Sequence, residues 1–159
     1  MREPTLRCRM PGSTKTAEGM VALFNASDDT IDMIQKLLTD SGGDQTLIWC
    51  HFADLRLGVV DFQRFMDKHN PEVVIFDLSP PYAENWRFFT TMRDHQTMRG
   101  RGIVLTTTNK NRLDEVVGRD SRALEVVGRP EDLQLIDAAI KAETRRAETA
   151  RLEKPAVRS

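Results

Sequence analysis

The sequence predicts an α/β protein in which five parallel strands form one sheet with helices on both of its faces. Five short apolar runs have the length and composition of strands that are buried on both faces. Each run is followed by a segment with helical patterning, and Gly, Pro, Asn or Asp residues separate the elements. Such alternation is typical of a parallel sheet. The runs occupy residues 20–24, 45–52, 73–78, 102–107 and 123–128.

The predicted helices constrain how these strands are connected. Because crossovers between parallel strands are right-handed, few topologies are possible. We predict the strand order 2-1-3-4-5 of a flavodoxin-like three-layer fold with five helices. The helices are expected over 30–42, 53–70, 109–118 and 131–154, with another inside the Pro-containing segment 79–94.

Length and composition limit the class of protein. The chain has 159 residues, of which 40% are hydrophobic, and a formal net charge of -1. The length suits one domain, and the charge gives no indication of nucleic-acid or membrane binding. No apolar run approaches the ~20 residues that cross a bilayer, and the N-terminal segment has no secretory h-region. Two cysteines, Cys8 and Cys50, form no disulfide framework, so a cytoplasmic location is expected.

Composition also divides the chain. Residues 1–18 are rich in Pro, Gly, Ser, Thr and Arg, and they are predicted to form a flexible tail. The folded domain is expected over 19–142. Residues 143–159 are predicted to extend the last helix as an interaction arm and to end in a frayed tail.

Polar residues gather where the predicted strands end. The carboxyl ends of parallel strands meet at one edge of a sheet, where ligands of such folds bind. Here those ends carry Asn25 and Ala26 after the first strand, Asp77 in the third, Thr106 in the fourth and Arg129 after the fifth. We expect these residues to converge.

Three segments resemble the receiver domain of two-component response regulators. They are VVIFDLSPP around Asp77, IVLTT ending at Thr106 and VVGRP ending at Arg129-Pro130, and the resemblance extends over residues 20–142. It implies that Asp77 matches the phospho-accepting aspartate and Thr106 the strand-end hydroxyl. It places Arg129 in the position of the family's lysine.

The same resemblance reveals departures from the family pattern. Asn25 and Ala26 stand where receivers carry an acidic pair that binds Mg²⁺ together with the acceptor aspartate. Mg²⁺ prefers several oxygen ligands, usually including carboxylates. We therefore expect no cofactor, or weak Mg²⁺ binding at most, with Asp28 and Asp77 as weak metal candidates. Asp28 and Asp29 have a simpler role in capping the first helix.

Two further departures concern the cation and the switch. Arg129 retains the positive charge of lysine with a different donor geometry, and it is expected to pair permanently with Asp77. Val126 stands where many receivers have a Tyr or Phe that changes rotamer, and a β-branched side chain has no such swing. Simple structural roles are also open to Asp77 and Thr106, as a hydrogen-bonded strand-end acid and a capping hydroxyl.

Several other groups are expected to be structural. Cys50 lies in a strand and is predicted to be core. The rings of Trp86, Phe88 and Phe89 cannot all face one core stripe, so at least one is expected at the surface or in an interface. The basic cluster of Arg93, Arg99 and Arg101 is interpreted as a solvated loop patch.

These observations favour an atypical receiver that is not an enzyme and that acts through protein–protein interaction, with weak or absent phosphorylation. The expected partner is a histidine kinase or another signalling protein, and a homodimer is also considered. One alternative is a phosphorylatable single-domain response regulator that uses Asp77. Another is an unrelated flavodoxin-like domain for a small ligand, which the absence of a phosphate-binding loop disfavours.

Overall fold

The computed structural model describes residues 19–24, 27–40 and 45–153, which form one parallel five-stranded sheet. The strand order is β2-β1-β3-β4-β5, so the predicted order is confirmed. The predicted tail 1–18, the site residues Asn25 and Ala26, and residues 154–159 lie outside the described residues. The strands are β1 Met20–Phe24, β2 Thr46–Cys50, β3 Val73–Leu78, β4 Gly102–Thr107 and β5 Leu124–Glu125.

Within the described ranges, six α-helices connect and cover these strands, where five were predicted. The segment predicted as one helix over 53–70 forms two, because Gly58 adopts a positive φ of 76° and Asp61 starts a new helix by accepting a hydrogen bond from the Arg64 N–H at 3.0 Å. The helices are α1 Asp28–Asp40, α2 Phe52–Arg56, α3 Phe62–His69, α4 Tyr82–Arg93, α5 Lys110–Val117 and α6 Pro130–Glu153.

The core consists of two apolar layers on opposite faces of the sheet. Alternate residues of one strand serve different layers, since successive side chains of a strand point to opposite faces. Leu23 packs with Ile34 of α1 and Ile136 of α6, whereas Phe24 packs with residues of α3 and α4. Helices α1 and α6 therefore cover one face, and α2 to α5 cover the other.

The aromatic rings of α4 all contribute to packing. Phe89 is buried beside Phe76, with ring centroids 4.9 Å apart, and Trp86 lies against Phe89 at 5.1 Å. Phe88 meets Phe52 of α2 edge to face at 5.7 Å. Trp86 and Phe88 are only half-buried, so the expectation that at least one of the three rings lies at the surface or in an interface stays a prediction.

Strand β5 is shorter than the predicted run 123–128. The Val126 N–H still donates to the carbonyl oxygen of Thr107 at 2.8 Å. The next three N–H groups, of residues 127–129, donate to the Asp132 carboxylate instead. The backbone after β5 therefore bonds to a side chain of the first turn of α6 and does not extend the strand.

Helix α6 packs closely on the amino end of β4. A Cβ atom added to Gly102 would lie 2.6 Å from the Cβ of Glu143, so glycine permits this approach. The Glu143 carboxylate accepts a hydrogen bond from the Ile103 N–H at 3.2 Å, and Ala147 is buried. The domain boundary at residue 142 stays a prediction. None of the described helices is long and apolar enough to cross a membrane.

Candidate functional site

Asp77 and Thr106 lie side by side at the carboxyl edge of the sheet. They are register partners in the pairing of β3 with β4, and both side chains are buried. The Thr106 hydroxyl donates a hydrogen bond to Asp77 Oδ1 at 2.6 Å. The strand-end argument therefore brought these two residues together correctly.

The Asp77 carboxyl lies in an environment that disfavours its charge. Burial raises its pKa from an ordinary value of 3.8 to about 6, and the hydrogen bond from Thr106 partly opposes that rise. Among the described residues, no Lys, Arg or His side chain forms an ion pair with Asp77. At neutral pH the group is an ionised, buried carboxylate with one neutral side-chain donor.

Arg129 does not pair with Asp77. Its guanidinium binds Asp132, with Nε 3.2 Å and a terminal nitrogen 3.1 Å from Asp132 Oδ1, and about half of the side chain is exposed. The predicted ion pair between Arg129 and Asp77 is therefore wrong. Asp132 lies only three residues further along the chain, on the first turn of α6, so it meets Arg129 locally.

Asp132 is the best-satisfied carboxylate at this edge, and sequence reasoning missed it. Its Oδ2 accepts hydrogen bonds from the N–H groups of Val127, Gly128 and Arg129 at 2.8–2.9 Å. Burial alone would raise its pKa, but these bonds and the guanidinium outweigh burial and hold the pKa below its ordinary value. An acidic residue two positions after Pro130 was the available signal, since acids favour the first helical turn.

The lysine nearest in sequence to the end of β4 also has partners. Lys110 Nζ lies 3.0 Å from Asp114 and 2.7 Å from Asp120. Its backbone N–H donates to the Glu125 carboxylate at 3.1 Å, which ties the start of α5 to β5. The described contacts of Lys110 are thus with these three acids and not with Asp77.

The structure describes only some of the candidate site residues that follow β1. Asn25 and Ala26 lie outside the described residues, so their position relative to Asp77 stays a prediction. Asp28 is 84% exposed, and its carboxylate lies 3.2 Å from His51 Nε2 at the end of β2. Within the described ranges, no three or more His, Cys, Asp or Glu side chains group in a way that could hold a metal ion.

Val126 lies just beyond β5, in the apolar layer that contains Val104 and Ile136. It is 8% exposed, and its backbone is bonded to Thr107. A buried β-branched side chain in this position is fixed by packing.

Comparisons with known proteins identify the fold. No family model matches the chain, and no curated protein matches its sequence. A signal receiver domain of an HD domain-containing protein from Pseudomonas fluorescens Pf-5 is similar with a TM-score of 0.58 and 16% identity, over 91% of this chain and 100% of the other.

Two further solved structures agree. A sensor protein from Polaromonas sp. JS666 is similar with a TM-score of 0.58 and 15% identity, over 82% of this chain and 98% of that one. The bacteriophytochrome response regulator AtBRR is similar with a TM-score of 0.56 and 17% identity, over 79% and 91%. Identities of 15–17% support a similarity of fold alone. This chain has the fold of signal receiver domains.

Proposed function

We propose that the chain is an atypical receiver module of two-component-type signalling that acts by binding another protein, with weak or absent Mg²⁺-dependent phosphorylation of Asp77. The observation that carries this proposal is the Asp77 environment. The carboxylate is buried, has Thr106 as its side-chain donor, and has no described cation beside it. No catalytic turnover of its own is part of the proposal.

Phosphoryl transfer to a carboxylate needs positive charge at the acceptor. The incoming group carries negative charge, and catalysis of such transfers depends on positioning and on electrostatic stabilisation by cations. Arg129 binds Asp132 in the resting structure, and Lys110 binds Asp114 and Asp120. Moving either cation to Asp77 would break ion pairs that already exist.

The described residues also do not make a convincing Mg²⁺ site. Mg²⁺ needs near-octahedral oxygen coordination, usually with one or two carboxylates. Asp77 Oδ1 already accepts from Thr106, and Asp28 contacts His51. The sequence places an amide and a methyl group after β1, at Asn25 and Ala26. These features support weak metal binding.

Exposed apolar side chains near the β5 edge suit a protein partner. Val116 of α5, Val127 before α6 and Leu135 of α6 are each 45–52% exposed. Apolar side chains exposed on neighbouring elements are a common feature of interaction surfaces. We call these three residues the β5-edge surface, and we propose that a histidine kinase or another signalling protein binds there.

Incubation with acetyl phosphate and Mg²⁺ tests the chemistry. We expect intact-mass spectrometry to show the parent protein largely unmodified. Asp77→Asn provides the control. A phosphoryl adduct on most of the parent, absent from Asp77→Asn, would show that the second candidate is correct.

That second candidate is a phosphorylatable single-domain response regulator. The contact of 2.6 Å between Thr106 and Asp77 favours it, because nucleophile and hydroxyl are both present in register. Titration with Mg²⁺, followed by NMR at the amides of residues 77–79, separates the two. Saturation at low-millimolar Mg²⁺ would favour the second candidate, and the first predicts no saturation there.

Charge substitutions on the β5-edge surface test the partner proposal. Val127→Glu combined with Leu135→Glu should abolish copurification of a histidine kinase or signalling protein identified with the parent. Leu57→Glu is a matched control, since Leu57 is 77% exposed on the loop after α2. Equal binding by both variants would contradict this surface.

A further inference from the structure

A cleft of about 450 Å³ lies at the amino edge of the sheet, opposite to Asp77. The loop that carries Arg99 and Arg101 forms one wall, Pro71 and Glu72 before β3 form another, and α6 closes it with Ala147 and Ala150. Nothing in the proposed signalling role uses this cleft.

The Arg101 guanidinium is fixed in the wall of this cleft. Nε donates to the Thr97 carbonyl at 2.8 Å, and one terminal nitrogen donates to the Asn70 side chain at 2.8 Å and the Pro71 carbonyl at 2.7 Å. Three of the five N–H donors are therefore used. The second terminal nitrogen makes no hydrogen bond to the described residues, so its two donors are held in place and available.

The charge of Arg101 has no close counterion among the described residues. Burial lowers its pKa, and Asp67 opposes that shift from a longer range. Within the described ranges, no carboxylate forms an ion pair with Arg101. A partly buried cation of this kind is costly unless an anion approaches it.

One further arginine lines the cleft, and two more line a neighbouring depression. Arg99 is exposed on the cleft wall, and its side chain makes no hydrogen bond to a described residue. A second depression shares Ala150 with the cleft and is lined by Arg145 and Arg146. Arg146 pairs with Glu143 at 2.8 Å, whereas Arg145 forms no ion pair with any side chain that the structure describes. Glu72 is the acid on the cleft wall.

The small side chains of α6 leave space between these cations. Ala147 is buried at the cleft base, and Ala150 is exposed at its rim. The chain's own terminal segments suit this space poorly, because residues 1–18 contain four basic and two acidic side chains and residues 154–159 contain Lys154 and Arg158. Like charges would repel them.

We propose that this cleft binds the phosphate group of a small phosphorylated molecule. The remaining terminal nitrogen of Arg101 can donate a charge-assisted hydrogen bond to a phosphate oxygen, and Arg99 supplies a second, mobile guanidinium. The volume of about 450 Å³ suits a small molecule. The overall charge of -1 disfavours a nucleic-acid polymer.

NMR titration of the full chain with sodium pyrophosphate tests the site. We expect saturable shifts at the Gly100 and Gly102 amides and at the Arg101 Nε–H. Sodium chloride at equal ionic strength should not reproduce them. Shifts that chloride matches, or shifts confined to the Asp77 edge, would overturn the proposal.

Matched variants show which arginines contribute to the affinity for pyrophosphate. Arg101→Gln should weaken pyrophosphate binding by about tenfold or more, and Arg99→Gln by about threefold, since charge-assisted hydrogen bonds are stronger than neutral ones and the Arg99 side chain is not held by hydrogen bonds to described residues. Arg112→Gln, on α5 at the opposite edge, should bind like the parent. Loss of affinity in Arg112→Gln equal to that in Arg99→Gln would indicate diffuse charge and no site.

A variant that retains every charge tests the location of the site even if Arg101→Gln fails to fold. Ala150→Leu should block the cleft and reduce binding by at least the same factor as Arg101→Gln. Ala138→Leu, at another exposed position of α6, should leave it unchanged. Unaltered binding in a folded Ala150→Leu protein would overturn the proposed location.

Discussion

Two buried carboxylates at the carboxyl edge of the sheet, Asp77 and Asp132, are held in opposite ways. Asp77 is 6% exposed, has Thr106 as its donor, and has a pKa raised to about 6. Asp132 is 1% exposed and accepts three backbone N–H groups and the Arg129 guanidinium, and its pKa is lowered. Burial raises the pKa of Asp77 because one neutral donor does not offset it, whereas the donors around Asp132 outweigh the effect of burial.

The difference has a functional meaning. Asp132 uses the arginine that the resemblance to receivers assigns to the acceptor aspartate. Asp77 is left as a buried acid whose ionisation costs stability. A partner or ligand that brought a cation to Asp77 would relieve that cost.

Removal of the Asp132 carboxylate should give the largest effect. Asp132→Ala leaves three N–H groups without their acceptor and frees Arg129, so we expect a loss of about 3 kcal/mol in the free energy of unfolding. Urea denaturation measures it. Glu131→Ala, an exposed neighbour on the same turn, should lose much less. Equal losses would mean that helix-dipole charge, and not the capping bonds, carries the stability.

Replacement of Asp77 by Asn should increase the free energy of unfolding, whereas replacement of Asp132 should lower it. Because its pKa is about 6 in the folded state and 3.8 ordinarily, the folded protein binds the proton more tightly. Stability therefore falls as pH rises from about 4 to 6 and stays low above that. We expect Asp77→Asn to gain about 1–3 kcal/mol at pH 7.

Measurement of both proteins from pH 4 to pH 8 provides the check. The advantage of Asp77→Asn should shrink as pH falls through about 6 and approach zero near 4. A variant that is less stable than its parent at pH 7 would show that Asp77 has a cationic partner in solution.

The sequence predicted the sheet and the Asp77–Thr106 neighbourhood because both depend on long-range regularities. Apolar runs and crossover handedness fix the strand order, and parallel strands align their ends. It failed where two local options compete. Gly58 could have continued a helix or ended it, and the helix ends because Gly58 adopts a positive φ and Asp61 caps a new helix.

The partner of Arg129 was a choice of the same kind. Receiver-like spacing favoured Asp77, but the turn before α6 places Asp132 beside Arg129. Sequence order shows that the two residues are three apart, and it does not show where the guanidinium points.

Loss of the Thr106 hydroxyl should increase the difference in pKa between Asp77 and Asp132. Thr106→Val keeps the shape of the side chain and leaves Asp77 without its described side-chain donor. We expect the Asp77 pKa to rise above that of the parent, since the hydrogen bond lowers it, and stability at pH 7 to fall by about 1 kcal/mol. NMR titration of the Asp77 side-chain carbon measures the pKa. An unchanged value would mean that water replaces the hydroxyl without loss.

The smallest expected effect is at Arg129. Arg129→Gln removes a guanidinium that is half exposed, and Asp132 keeps its three backbone donors, so the free energy of unfolding should fall by about 0.5 kcal/mol. The informative readout is the pKa of Asp77. If Arg129 serves Asp132 alone, that pKa should be the same in Arg129→Gln as in the parent. A rise would mean that the guanidinium also visits Asp77 in solution, where it would stabilise the carboxylate. In that case the acceptor site would have its family-type cation after all, and phosphorylation of Asp77 would become the better account of this edge of the sheet.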